Sequence, residues 1–277
     1  LIVALNTYEF VPGVVTGDLF SDPEFLAAAQ AEYAVNKTGI LTSNQALYAM
    51  LPLSDIMTSQ EANSIAQATA KSLHDMNKSP RDRLLDAMLH SKLTSRDVGQ
   101  VELLCAPLKF SPSVIGEPGK TYLSLVAAVM APHSRGSIHI NSSNPLEYPV
   151  IHPQAFTKET DRKLIIAGLR FADKVSRTMP LKQYIARRIE PAGERELTDQ
   201  EWWAHVRQTV HTLSHPVGTC AMLPEDRGGV VDSRLRVYGV KGLRVVDASV
   251  IPLHIAAHIQ ATVYAIAEKA ADLIRKS

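Results

Sequence analysis

The chain has 277 residues, with 29 Lys+Arg against 28 Asp+Glu and a net charge of +1. That balance argues against a dedicated nucleic-acid binder, which carries a basic excess. A hydrophobic content of 45% excludes disorder over the whole length and supports a sizeable core, while no apolar run reaches the ~18–20 residues of a membrane-spanning helix.

The chain opens Leu1-Ile2-Val3-Ala4-Leu5, a strand-like run with no initiator Met and no signal-peptide pattern, which suggests a cut through a larger polypeptide. Residues 1–60 are otherwise irregular, broken by Pro12, Gly13, Gly17, Pro23 and Gly39. A helix is expected from Asp22-Pro23 through Ala31, with Pro at its first position. Further helices are expected over 58–76 and from Arg81 to Leu93. Val101 to Phe110 and Thr121 to Met130 read as buried strands, and Gly136 to Ile140 as a third. Asp161 to Arg177 carries Leu164, Ile165, Leu169, Phe171, Ala172 and Val175 at helical period, and Pro180 stops it. Thr198 to Glu201 is a capping box. The helix behind it, with Trp202, Val206, Val210 and Leu213 on one stripe, is expected to end near Ser214-His215-Pro216. Two short strands follow, Leu235 to Val237 and Leu243 to Val246. A last helix is expected from about His258 to Ile274. Strands gathered at 101–140, apart from most helices, make the fold α+β rather than a repeated βαβ.

Several motifs fail. Gly119-Lys120-Thr121 lacks the first glycine of a P-loop, because position 114 is Val. No G-x-G-x-x-G occurs, so no dinucleotide-binding turn lies in this chain. There is no G-x-S-x-G elbow. His254 and His258 are four apart, but position 255 is Ile where a zinc protease needs Glu, and no metal site is assigned. Cys105 and Cys220 are too few for a disulfide framework. Sequons at Asn36, Asn77 and Asn141 permit a secreted origin, and localisation stays open.

The C-terminal third carries the chemistry. His215-Pro216-Val217-Gly218-Thr219-Cys220 is followed by Gly242-Leu243-Arg244-Val245-Val246-Asp247-Ala248-Ser249, and then by Ala257-His258-Ile259-Gln260-Ala261. His215 and His258 are 43 positions apart, each at a helix junction where a side chain can project into a cleft. Oxidising an alcohol requires a base near neutrality, and His is the usual one. It also requires a hydride acceptor that no side chain supplies, hence a cofactor.

These three ordered blocks resemble the C-terminal signature of the glucose–methanol–choline (GMC) flavin oxidoreductases, in the style of aryl-alcohol-oxidase-like and choline-dehydrogenase-like members. The likeness extends upstream through Arg135-Gly136-Ser137, Asn144-Pro145, Pro149 and Ile151. It is clear over 131–277 and thin over 1–130. The resemblance implies a substrate-side region (1–130) and a C-terminal module (131–277), with 243–277 facing the flavin. It implies a mostly antiparallel sheet flanked by helices, plus a strand and helix that complete a flavin domain. It also implies FAD, held by Asp247, Ala248, His258, Ile259 and Gln260. The catalytic pair would be His215 and His258, with His215 favoured as base and His258 assisting, and the substrate a small alcohol. The flavin-binding region, or a chain supplying it, is an expected partner. A non-redox relative (a lyase or cyclase), or a chain inactive without a flavin-binding partner, are the alternatives. Trp202, Trp203, Tyr264 and Leu123 to Met130 are expected to pack in the core. Leu1 to Leu5 and the last helix are expected to present an apolar face for docking.

Overall fold

The computed structural model describes residues 1–44 and 46–276. In chain order its elements are β1 (Ile2–Phe10), α1 (Pro23–Asn36), β2 (Leu47–Leu51), α2 (Leu53–Ile56), α3 (Ser59–Leu73), α4 (Pro80–Thr94), β3 (Val101–Ala106), β4 (Tyr122–Val129), β5 (Ser137–His139), β6 (Val150–His152), α5 (Glu159–Ser176), β7 (Ile185–Glu190), α6 (Asp199–Thr209), β8 (His211–Thr212) and α7 (Gln260–Arg275).

Six strands form one antiparallel sheet in the order β2-β3-β4-β1-β7, with β8 pairing the first residues of β1. β5 and β6 make a separate exposed hairpin. β4 is buried at every position, the pattern of a strand covered on both faces. One face of the sheet carries Ala4, Val101, Ala127 and Val129 against Leu164 and Ile165 of α5 and Trp202 and Val206 of α6. The opposite face carries Leu1, Val3, Leu5, Val126, Ala128 and Met130, with Met50, Leu104 and Leu213 beside them. A further cluster of Val231, Leu235, Val250 and Ala270 anchors α7.

Polar bonds fix α5 to the sheet. Asp173 accepts from Arg188 Nη1 at 2.9 Å and from Arg177 Nε at 2.9 Å, and the Tyr8 hydroxyl donates to it at 3.4 Å. Buried charge of this kind is tolerated only when paired. Asp161, buried in the first turn of α5, accepts from the backbone of His133 and Ser134 at 2.8 and 2.7 Å and so seats the loop after β4.

The expected α+β class with an antiparallel sheet is what the chain forms. Strands from both the 1–130 and 131–277 segments share the sheet, because β1 pairs with β7 and β8 as well as with β4. Other expectations need correction. The strand at the start runs on to Phe10 and lies inside the sheet. Leu1, Val3 and Leu5 are therefore covered by this chain and do not present a docking face. The strand from Val101 ends at Ala106, short of Phe110. The helix behind the capping box stops at Thr209, because His211 and Thr212 leave it to pair with β1. Leu235–Val237 and Leu243–Val246 contribute isolated bridges, Val231 with Val237 and Arg236 with Arg244, rather than strands. Tyr264 is 68% exposed, not core. On α7, Val263 is half-buried and Ala261, Ala265 and Ala267 are exposed.

Gly168 marks the closest approach of α5 to the sheet. A Cβ there would stand 2.8 Å from Ala127 Cβ and 2.9 Å from Val101 Cγ1. Gly168→Val therefore overpacks this layer, and chemical denaturation is expected to read a loss of about 1–3 kcal/mol. An unchanged midpoint would show that the layer can open without cost.

Candidate functional site

Two backbone devices bring residues 215 and 258 together. β8 pairs with the first residues of β1, and Leu213 N–H donates to Leu1 O at 3.2 Å, so the chain leaves the sheet just before His215. Beyond it, Cys220 N–H donates to Ser249 O at 3.0 Å and Met222 N–H to Val250 O at 2.8 Å. This pairing lays 220–222 along 249–250. At the turn before it, Gly218 has φ +85°, and a Cβ there would meet Pro252 O at 3.3 Å, so glycine serves both the backbone angle and the close approach.

The imidazoles of His215 and His258 lie 5.9 Å apart, centroid to centroid, with their planes at 31°. His254 lies 6.3 Å from His215, and the ring of Tyr48 lies 5.2 Å from His258. His258 Nε2 bonds Glu102 Oε1 at 2.8 Å. Glu102 sits on β3 in the cross-sheet row Met50–Glu102–Ala128–Val3, on the face opposite α5 and α6. It is 1% exposed, whereas the His258 side chain is 40% exposed. The carboxylate accepts, so His258 carries a proton on Nε2, and Nδ1 is the nitrogen left for other contacts.

Burial is the main cause of depressed basicity in His215 and His254. It lowers His215, with the chain's amino terminus and His258 adding repulsion and Glu102 opposing them. It lowers His254 to about 4, partly offset by the bond to the Ile255 carbonyl. His215 is therefore neutral at pH 7 and has a lone pair to offer.

The remaining expected residues fall around this group. Asp247 is exposed and caps the short turn Ala248–Val250, its Oδ1 accepting from Ser249 N–H at 2.8 Å. That turn is tied to the segment after His215 by the Cys220–Ser249 bond. Ile259 is buried, and Gln260 is exposed in the first turn of α7. α7 starts two residues after His258, not at it, and no side chain caps it. Its first amide N–H groups are free for a ligand. Among the described residues, no group of three His, Cys, Asp or Glu could hold a metal, and no helix is long and apolar enough to cross a membrane.

Glu102 and Tyr48 escaped the sequence reading. Glu102 had a signal, as the one charged residue in the apolar run Val101–Ala106. Tyr48 had none, since β2 is largely exposed. A groove elsewhere on the surface does not include this site. Of about 630 Å³, it runs between Val114–Ile115 and α6 and contains none of the three imidazoles.

The GMC oxidoreductase family pattern matches residues 132–267. The chain belongs to the GMC oxidoreductase family. Among its curated GMC relatives, the chain is 34% identical to Dehydrogenase mpl7 of Monascus purpureus over 98% of its own length and 46% of that protein. It is 42% identical to the GMC oxidoreductase family protein Mala s 12 of Malassezia sympodialis, over 61% of this chain and 27% of that one. A fungal aryl-alcohol oxidase structure superposes with a TM-score of 0.76 at 28% identity, covering 99% of this chain and 46% of that one. An FAD-dependent oxidoreductase from Chaetomium thermophilum shares the fold, with a TM-score of 0.83 at 24% identity, over 99% of this chain and 47% of that one. The chain thus spans about half the length of GMC relatives such as Dehydrogenase mpl7.

The neutral buried histidines make stability depend on pH. His254 has its ordinary value of 6.5 when unfolded and about 4 when folded. Between those values the unfolded chain binds more protons, so stability is complete above about 6.5 and falls as pH drops through the window. His133, His205 and His215 act in the same direction, burial being the leading cause for each. Urea midpoints are expected to fall from pH 7 to pH 5, and His254→Phe to flatten that fall. Equal slopes in both proteins would contradict the assignment.

Proposed function

We propose that the whole polypeptide is an FAD-dependent oxidoreductase acting on the CH–OH group of a primary or secondary alcohol, with His215 and His258 as its catalytic pair. The observation that carries this reading is the 5.9 Å juxtaposition of the two imidazoles with Glu102 behind one of them. The likeness to an aryl-alcohol oxidase at 28% identity supports the same class of reaction. FAD, when bound, supplies the hydride acceptor that no side chain can provide.

The chain's own residues supply the proton chemistry. The hydroxyl oxygen of the alcohol sits between His215 Nε2 and His258 Nδ1, at hydrogen-bond reach of about 2.6–3.2 Å from each. His215, kept neutral by burial, takes the hydroxyl proton on Nε2. Glu102, bonded to His258 Nε2, fixes the plane of that ring and so the direction of its Nδ1 toward the same oxygen. The open aromatic face of Tyr48 beside His258 offers a surface for the organic part of the substrate. Asp247, Ala248, Ile259 and Gln260, with the first amides of α7 that no side chain caps, would hold the cofactor.

His215→Ala and His258→Ala in the flavin-loaded full-length polypeptide are each expected to lower kcat/KM for an alcohol by about 10²-fold or more, with flavin absorbance retained. A variant with both histidines removed and full turnover would refute the reading.

A further inference from the structure

His254 takes no part in the chemistry above, yet its placement is highly constrained. It is 3% exposed. Leu253 beside it packs with Leu85 and Leu89 of α4, and Lys92 Nζ donates to the His254 carbonyl at 2.8 Å. Its Nδ1 bonds the Ile255 carbonyl at 2.7 Å. A carbonyl can only accept, so the proton sits on Nδ1 and Nε2 is a lone pair. That Nε2 is buried without a hydrogen-bond partner, and so is Nδ1 of the neighbouring His215.

An acceptor and a nitrogen able to donate, both atoms buried, thus lie on adjacent rings 6.3 Å apart by centroid and tilted at 52°. Buried polar atoms left unmatched are uncommon, and a shared water is the usual remedy. The spacing is wide for a direct N–H···N bond of about 2.9 Å and suits two such bonds in series.

We propose that His254 is a positioning residue for His215: its Nε2 accepts, through one bridging water, the proton on His215 Nδ1, which leaves the His215 lone pair on Nε2. In a histidine, the bond made at one nitrogen decides which form the other takes. His254 can serve only as the acceptor throughout the neutral range, because burial holds its pKa at about 4. The other groups facing this corner are engaged. Lys92 holds the His254 carbonyl, the Leu1 nitrogen donates to the His215 carbonyl at 3.4 Å, and Glu102 Oε1 holds His258. Glu102 Oε2 is the competing buried acceptor, but it belongs to a residue already bonded to His258, whereas His254 is in ring contact with His215.

The catalytic consequence rests on His215 being the base; the tautomer itself does not. The test is a long-range ¹H–¹⁵N spectrum of the histidine-labelled full-length polypeptide above pH 7.5, with the His215 signals assigned by His215→Gln. The expected wild-type pattern is a protonated Nδ1 and a lone-pair Nε2 on His215. His254→Val should move His215 toward the Nε2–H form that free histidine prefers in water. His254→Gln, whose amide oxygen replaces Nε2 as acceptor, should restore the wild-type pattern. In turnover, His254→Val should lower kcat by about tenfold or more with little change in KM, and His254→Gln should recover most of it. A wild-type lone pair on Nδ1, a pattern unmoved by His254→Val, or a pattern that follows Glu102→Gln instead would each overturn the proposal. The wild-type spectrum and His254→Gln decide the matter if His254→Val does not fold. Full activity in His215→Ala would sink the assignment of His215 as base while leaving the tautomer result intact.

Discussion

Glu102 is a carboxylate at 1% exposure on an interior strand, and it accepts from His258 Nε2 at 2.8 Å. Burying such a group is costly unless it is paired, so the fold must deliver a donor to that spot on the sheet face. The donor comes from 156 positions further along the chain. This one bond therefore ties the start of α7 to β3, and it decides which nitrogen of His258 remains available. Across the sheet Glu102 pairs with Met50 on β2 and with the small Ala128 on β4.

The second imidazole reaches the same place by backbone pairing. β1 divides its free edge, giving residues 7–10 to β7 and residues 2–3 to β8. The short β8 contact turns the chain out of the sheet at Ser214, whose φ of +56° is the left-handed region, and directs His215 toward His258. The 220–222 and 249–250 pairing then returns the chain to Pro252 and α7. Three residues at the site, Glu102, His215 and His258, are thus held by sheet register, by two backbone bonds and by one charge-assisted bond. This is the rigid support a catalytic arrangement requires.

The elements with strong local patterns were legible in sequence. α5 has a clean apolar stripe, α6 a capping box, and β4 an apolar run interrupted by Ser124 alone. β2, β6 and β7 were not, because exposed strands such as Leu47–Leu51 carry no buried alternation and are held by pairing with partners far away in sequence. The end of α6 was missed for the same reason: Val210 fits the helical stripe, but pairing of His211 with Val3 outweighs it. The site was legible where chemistry and order coincide, at His215 and His258. Tyr48 joins it through strand register alone, which one sequence does not reveal, while Glu102 left only the mark of a lone charge in an apolar run.

The most direct measurement is an experimental structure of the full-length polypeptide with FAD and an unreactive alcohol analogue. The account predicts the analogue's hydroxyl oxygen within about 2.6–3.2 Å of both His215 Nε2 and His258 Nδ1, with Glu102 still bonded to His258 Nε2. An analogue bound with its oxygen away from both nitrogens, or His258 turned so that Nδ1 meets Glu102, would contradict it.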